Sequence, residues 1–489
     1  MSGKPKLSFY EKVTLPFIIL RLRMFLHKFP KKALLIELGS TLVLLIKIAL
    51  VILYNSLFAR NSVRNKNKTK PRILFDSSAR FILGSTTAAQ LQAISVPSYD
   101  SYLKWVKDVN EEPIVNDLSN GARLFWLGPR KSSKVVIYCH GGGFVGPLSD
   151  FECRYWRRLQ NELSDNSKRF DVAMLEYSLW PIKFPTQLKQ LISAIECVLE
   201  TGVHPSNIYL SGDSSGGNLI MQLISHILHP LKDVPKLSIT FDEATTKFGG
   251  AILYSPYTAL TGRTGSHITN DTFDLVPAFC LGTWGKLYLD PIPEDQRLYA
   301  HANIAPERFF EGVEKFIKRF MITSGEKECL RDDIILFSDI LKKSHGDVTL
   351  IVEKDAVHAD PIFAFAVKTK ELFGSRRHIR IKKADDTVES GTDPSEKEYR
   401  NVNGRCRSGP SEAHSVDKKG REGSLDPQSQ GAQGSMRGPK SESPSYIYGQ
   451  VYKEGKEGVG GTERGGQTDA APPGSWWESM KHKLGFKGE

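Results

Sequence analysis

Residues 207–218 read NIYLSGDSSGGN, a short apolar run followed by glycines around two serines. The apolar run favours a buried strand, and the leucines and isoleucines that follow have the spacing of a helix. Gly212 and Gly216 flank Ser214 at two residues on either side, a pattern typical of a sharp strand-to-helix turn that exposes a nucleophilic serine. The register selects Ser214, because Ser215 has Asp213 two residues before it. A polar turn without chemistry is the alternative.

Similar apolar runs recur along the chain and predict buried strands. Amphipathic stretches such as 185–200 and 217–228 separate several of them and predict helices. Strands that alternate with helices favour an α/β fold, a mostly parallel sheet covered on both faces, with its chemistry just past the carboxyl ends of the strands. The predicted strands span 134–139, 172–177, 207–211, 250–255, 319–324 and 348–353.

Polar motifs follow two more of these predicted strands. HGGG at 140–143 comes directly after 134–139, and its glycines let backbone amides turn towards a substrate oxygen, together with the amide of Ser215. The histidine of this motif is expected to fix the loop. His358 comes after the last predicted strand and can supply the general base that a serine hydroxyl needs near neutral pH. A solvated surface histidine is the alternative.

A carboxylate is expected between the serine and the histidine in chain order, in the segment after 319–324. That segment, GEKECLRDD, contains several acids. The alternative for each of them is an ordinary solvated side chain. The candidates are Glu326, Glu328, Asp332 and Asp333.

Charge and composition divide the chain of 489 residues into regions. Residues 1–70 carry 14 Lys and Arg against 2 Asp and Glu, whereas 71–374 is slightly acidic, so we expect no nucleic-acid partner. Residues 1–37 are predicted to form a basic, amphipathic arm. The mostly apolar stretch 38–58 is long enough to cross a bilayer, with a buried core helix as the alternative. Residues 375–489 are predicted to be a disordered tail.

The motifs HGGGF (140–144), GDSSGGN (212–218), YSPY (254–257) and LRDD (330–333) resemble the hormone-sensitive-lipase branch of the α/β-hydrolases. The resemblance covers a catalytic domain of roughly residues 80–373. With a membrane span before it, the chain is similar to the fungal steryl acetyl hydrolases, and also to arylacetamide deacetylase.

The resemblance implies functional residues, the nucleophile Ser214, the base His358 and the oxyanion-binding amides of Gly141 and Gly142. The family commonly has aspartate where this chain has Glu328, so Glu328 is the acid that the resemblance implies. It also implies an endoplasmic-reticulum membrane protein with a lumenal catalytic domain. The sequon at Asn270 is compatible with glycosylation on the lumenal side.

We therefore expect a membrane-anchored serine hydrolase that deacetylates steryl acetates and needs no metal and no organic cofactor. A broad carboxylesterase or acylglycerol lipase with the same triad is the main alternative, and a catalytically silent small-molecule receptor of the same fold is another. The stretch 257–312 is expected to form part of a cap over the site. Apolar side chains are predicted to line the pocket, Phe144, Phe279 and Trp284 among them.

Overall fold

The computed structural model describes residues 39, 43, 46–54, 68–164, 169–242, 246–262 and 265–367. Within these residues one sheet of eight strands forms the centre of the fold. Its strands are Ile114–Asp117 (β1), Arg123–Trp126 (β2), Val135–Cys139 (β3), Asp171–Glu176 (β4), Ile208–Asp213 (β5), Gly250–Tyr254 (β6), Phe320–Gly325 (β7) and Val348–Glu353 (β8).

The order of the strands in the sheet is β1-β2-β4-β3-β5-β6-β7-β8. β1 pairs antiparallel with β2, and β2 pairs antiparallel with β4. The remaining neighbours, from β4 across to β8, are parallel. The carboxyl ends of β3, β5, β6, β7 and β8 therefore meet at one edge of the sheet, and the polar motifs predicted from the sequence follow four of these ends.

Helices pack on both faces of this sheet. Alternation along β3 shows the two faces, because Val135, Ile137 and Cys139 belong to one buried apolar cluster while Val136 and Tyr138 belong to another. The described helices are Lys70–Ser85 (α1), Ala88–Ile94 (α2), Ser98–Val109 (α3), Asp150–Ser164 (α4), Thr186–Leu199 (α5), Ser215–Leu228 (α6), Ser266–Thr269 (α7), Ala278–Leu289 (α8), Arg297–Ala300 (α9), Arg331–Lys342 (α10) and Asp360–Phe363 (α11).

The α/β architecture predicted from the sequence is confirmed, and the six predicted strands are β3 to β8, with bounds that differ by at most two residues. The antiparallel strands β1 and β2 were not predicted. Each has four residues, and the IVND of β1 contains too few apolar positions to show a strand periodicity.

The chain between β6 and β7 contains α7, α8 and α9, in the stretch predicted to form part of a cap. We call the chain between β6 and β7 the cap segment. α1 lies beside it, and the guanidinium of Arg80 in α1 donates to the backbone oxygen of Asp274 (3.1 Å) and to the carboxylate of Asp271 (3.2 Å). α1 and the cap segment are thereby joined.

The predicted arm over 1–37 and the predicted tail over 375–489 lie outside the described residues, and of the predicted span over 38–58 only residues 39, 43 and 46–54 are described. Among the residues that are described, no helix combines the length and the apolar character needed to cross a membrane.

Candidate active site

Ser214 occupies the turn between β5 and α6, in a backbone conformation that serine rarely adopts. Its φ is 49° and its ψ is −117°. Two hydrogen bonds hold this turn against the end of β6, one from the Ser214 amide to the oxygen of Tyr254 (2.9 Å) and one from the Tyr257 amide to the oxygen of Ser214 (2.9 Å). Strained residues of this kind persist only where their surroundings fix them, and they cluster at active sites.

The glycines of the motif are required by close backbone contacts around Ser214. A Cβ on Gly212 would lie 2.5 Å from the carbonyl carbon of Gly216. A Cβ on Gly216 would lie 1.9 Å from the backbone oxygen of Cys139, at the end of β3. There is therefore no room for a side chain two residues either side of Ser214, as in the sharp turn that the glycine spacing predicts.

His358 and Glu328 lie next to each other at the carboxyl ends of β8 and β7. The His358 Nδ1 atom is 3.6 Å from the Glu328 Oε2 atom, and both side chains are buried. The hydroxyl of Ser255 donates to Glu328 Oε2 (2.5 Å) and the hydroxyl of Ser324 donates to Glu328 Oε1 (2.9 Å). These hydrogen bonds fix the carboxylate in the orientation that faces the imidazole.

The electrostatic surroundings of His358 favour its protonated form. Burial is the largest single effect and lowers the pKa of this imidazole, but the carboxylates of Glu328, Asp274 and Asp213 together outweigh it, so that the pKa lies above the usual value of 6.5. Because Nδ1 faces Glu328, the Nε2 atom is the one left to exchange a proton with a reacting group.

The other acids considered from the sequence are engaged elsewhere. Asp332 accepts from the amide of Ser266 (2.8 Å), and Asp333 pairs with His267 (2.7 Å). Glu326 accepts from the amide of Asp355 (2.9 Å). Among these candidates it is Glu328 that lies beside His358.

The glycine loop after β3 lies against Ser214 and its neighbours. A Cβ on Gly141 would lie 3.2 Å from the Cβ of Ser214, and Gly142 and Gly143 have φ values of 98° and 63°. Ser215 is the first residue of α6, and because the first amides of a helix have no acceptor within the helix, its backbone amide is available to an oxyanion. This arrangement brings the predicted oxyanion-binding residues to the nucleophile turn.

His140 is a structural residue of this loop, as expected from the sequence. Its ring stacks on Tyr177, and its Nδ1 atom lies 2.8 Å from the backbone oxygen of Gly141. Burial lowers the pKa of His140 to about 4, so the ring is neutral at physiological pH. The hydroxyl of Tyr177 donates to the backbone oxygen of His140 (2.6 Å), which holds the loop from the other side.

A buried carboxyl pair next to the nucleophile was not predicted. Asp213 precedes Ser214, and its carboxylate accepts from the hydroxyl of Tyr138 (2.5 Å). Burial raises the pKa of Asp213 to about 6 despite this hydrogen bond and the proximity of His358. Burial and the charge of Asp213 together raise the pKa of Glu152 well above its usual range. The sequence does contain one sign of this pair, because Asp213 is an acid within the G-x-S-x-G motif.

Ser214 and His358 open onto one cavity of about 890 Å³. Besides Ser214, His358 and the glycine loop, its walls include apolar side chains of α1, of α8 and of the segment before α8, together with the charged side chains Lys104, Asp150, Glu152 and Arg154 of α3 and α4. The apolar side chains include Leu74, Phe75, Ile82, Leu83, Val276, Leu281 and Trp284.

Of the side chains predicted to line the pocket or to carry a glycan, only Trp284 lies where it was expected. Trp284 lines the Ser214 cavity as expected. Phe144 is buried, stacks on Tyr288 and borders a separate small cavity, and Phe279 is 62 % exposed and borders another. Neither is among the residues that line the Ser214 cavity, because the stacking on Tyr288 and the exposure to solvent engage these rings elsewhere. The amide nitrogen of Asn270 is buried and donates to the backbone oxygens of Glu326 and Glu328 (3.0 and 2.9 Å), so the predicted glycosylation does not fit this geometry.

The described residues contain no cluster of three or more His, Cys, Asp or Glu side chains arranged to hold a metal ion.

Comparison with known proteins shows which families this part of the chain is similar to. Residues 136–361 match the family model described as alpha/beta hydrolase fold. An esterase of Acinetobacter venetianus is 28 % identical over 222 residues, which is 44 % of this chain and 63 % of that protein. Neutral cholesterol ester hydrolase 1 of Bos taurus is 26 % identical over 155 residues, covering 30 % of this chain and 35 % of that protein.

Human hormone-sensitive lipase is 34 % identical over 112 residues, which is 21 % of this chain and 10 % of that protein. The chain thus spans less than two thirds of the length of each of these relatives. The segment 136–361 that matches the family model contains the nucleophile turn, the glycine loop, Glu328 and His358. Residues 136–361 are therefore similar to the alpha/beta hydrolases, and shorter segments of the chain are similar to neutral cholesterol ester hydrolase 1 and to hormone-sensitive lipase.

Proposed function

We propose that this protein hydrolyses carboxylic esters through an acyl-enzyme on Ser214, and that its substrates are steryl acetates. The observation that carries the proposal is the meeting of Ser214, His358 and Glu328 at one edge of the sheet, with the imidazole 3.6 Å from the carboxylate. A nucleophile, a base and a group that orients the base are the parts that this chemistry needs.

The reaction begins when the Ser214 hydroxyl attacks the ester carbonyl and His358 accepts its proton at Nε2. Glu328 keeps Nδ1 protonated and stabilises the imidazolium that forms. The amides of the glycine loop and of Ser215 stabilise the negative oxygen of the tetrahedral intermediate. His358 then gives the proton to the leaving alcohol, and the acyl group remains on Ser214.

Water completes the cycle. His358 accepts a proton from a water molecule, which attacks the acyl group on Ser214 and forms a second tetrahedral intermediate at the same amides. When this intermediate collapses, the carboxylic acid leaves and the proton returns from His358 to the serine oxygen. The products are one alcohol and one carboxylic acid, with no net change at the enzyme.

The substrate class rests on the shape and lining of the cavity and on the family resemblance. A volume of about 890 Å³ lies within the range of about 300–1,000 Å³ usual for small-molecule sites. The apolar part of its walls suits a bulky apolar alcohol, and one relative bears the name neutral cholesterol ester hydrolase 1. The restriction to acetyl esters comes from the resemblance to the steryl acetyl hydrolases.

Three substrates in matched detergent micelles test this proposal, a steryl acetate, the oleate of the same sterol, and a diacylglycerol. We expect the highest kcat/KM on the steryl acetate and no turnover by Ser214→Ala. Comparable kcat/KM on the long-chain substrates would favour the carboxylesterase or lipase alternative. Binding of ligand without hydrolysis of any ester would favour the receptor alternative, in which the triad is idle.

A further inference from the structure

Asp274 is a buried acid that the reaction scheme has not used. It lies in the cap segment between α7 and α8, and its side chain is inaccessible to solvent. Its Oδ1 atom accepts from the amides of Leu275 (2.6 Å) and His358 (3.0 Å), and its Oδ2 atom accepts from the amide of Cys329 (2.7 Å). One carboxylate therefore joins the cap segment to the loops after β7 and β8.

These loops carry the acid and the base of the triad. Cys329 directly follows Glu328, so the hydrogen bond from its amide fixes the backbone of the acid, while the bond from His358 fixes the backbone of the base. A buried carboxylate is costly unless backbone amides or charges satisfy it, and hydrogen bonds to an ionised acceptor are stronger than neutral ones. The same group thus restrains both partners of the 3.6 Å contact.

We propose that Asp274 is a positioning residue of the triad, which holds the loops of Glu328 and His358 at a fixed separation and places a second negative charge close to the imidazole. This inference rests on the proposed ester hydrolysis at Ser214, and it concerns geometry and charge rather than the choice of substrate.

The charges around His358 make the second part of the inference measurable. The carboxylates that act on the imidazole are Glu328, Asp274 and Asp213, each of which favours its protonated form. Asp360, two residues further along, is paired with Arg72 (2.5 Å). Glu328, Asp274 and Asp213 each raise the pKa of His358. Removal of the charge at Asp274 is therefore expected to lower that pKa.

Asp274→Asn is the central variant, because it keeps the shape of the side chain but replaces one acceptor oxygen by an NH2 group. Asp271→Asn is the matched control. Asp271 also anchors the cap segment, by accepting from Arg80 and from the amide of Ala278 (2.8 Å), but its bonds do not reach the triad loops. A chromogenic acetate ester reports kcat, KM and the pH profile, and thermal unfolding reports folding.

For Asp274→Asn we expect kcat to fall about 10- to 100-fold, as for a misplaced catalytic group, with KM changed much less. The acidic limb of kcat/KM should move to lower pH, whereas Asp271→Asn should leave the limb in place. Asp274→Glu, which keeps the charge but lengthens the side chain, should lower kcat without moving the limb. If Asp274→Asn does not fold, the fall of kcat in Asp274→Glu still tests the positioning role.

Equal effects of Asp274→Asn and Asp271→Asn on kcat, with an unmoved pH limb in both, would overturn the inference and leave Asp274 as a cap anchor. A failure of the proposed function is a different result, because the wild-type protein would then hydrolyse none of the esters and would not react with a serine-directed phosphonate.

Discussion

His358 is subject to opposing effects, because burial disfavours its charged form while Glu328, Asp274 and Asp213 favour it. The balance raises its pKa above 6.5. Only the neutral imidazole can accept the serine proton, so activity is lost as pH falls through this raised pKa. We expect the acidic limb of kcat/KM on a short ester to lie above pH 6.5. A limb below that value would show that burial dominates.

Glu328 stands where the resemblance implied an acid that is more often aspartate, and its carboxylate lies beside His358. We predict that Glu328→Gln lowers kcat by about 10⁴-fold, as expected when the imidazole loses the carboxylate that sets its tautomer. Asp332→Asn, which alters a neighbouring acid bonded to the amide of Ser266, is the control and should stay within about tenfold of wild type. If Asp332→Asn is the more damaging change, the assignment of the acid fails.

Local signals were sufficient to predict some site residues and insufficient for others. Ser214 directly follows β5, where glycine spacing marks it, and His358 lies in the loop after β8. Asp274 has no such signal, because its bonds to Cys329 and His358 join residues 55 and 84 positions apart. Phe144 and Phe279 have the right residue type, but the direction of a side chain depends on the backbone that carries it. Only the folded chain shows that neither ring enters the cavity.

The nucleophile turn depends on the close approach of α6 to the end of β3. In Gly216→Ala the added carbon would meet the Cys139 oxygen, so the helix has to move. We expect a loss of at least about 1–3 kcal/mol in the free energy of unfolding, the usual cost of overpacking, together with a loss of esterase activity.

Gly282→Ala is the matched control for that change, since Gly282 also lies in a helix, α8, and has open space at its Cβ position. There we expect a gain of up to about 1 kcal/mol in unfolding free energy from the better helix propensity of alanine. Chemical denaturation measures both variants. Equal stability of the two would contradict the close approach at Gly216.

At the scale of elements, buried parallel strands were predictable because each is a nearly continuous apolar run. The VVIYC of β3 is buried at every position and needs no knowledge of its partners. β1 and β2 are defined by their antiparallel pairing, for example Val115 with Phe125, and not by composition. The orientation of α1 against the cap segment likewise depends on the contacts of Arg80, which the local sequence does not specify.

The whole chain is predicted to associate with a membrane through residues 38–58. Leu45→Asp combined with Val51→Asp tests this, because each acid near the middle of a span costs about 2.5–3.5 kcal/mol of insertion free energy. We expect the wild-type protein to stay in the membrane pellet after alkaline carbonate extraction and the double variant to be released. Equal release of both would contradict the anchor while leaving the catalytic site unaffected.

The central claim, that Ser214 is the nucleophile of an ester hydrolase, is tested most directly by labelling the full chain with a fluorophosphonate and locating the modified residue by peptide mass spectrometry. The account predicts one covalent adduct, on Ser214, that is absent in Ser214→Ala. It should persist in Ser215→Ala, where the backbone amide remains. An adduct on another residue, or labelling of Ser214→Ala at the wild-type rate, would contradict it.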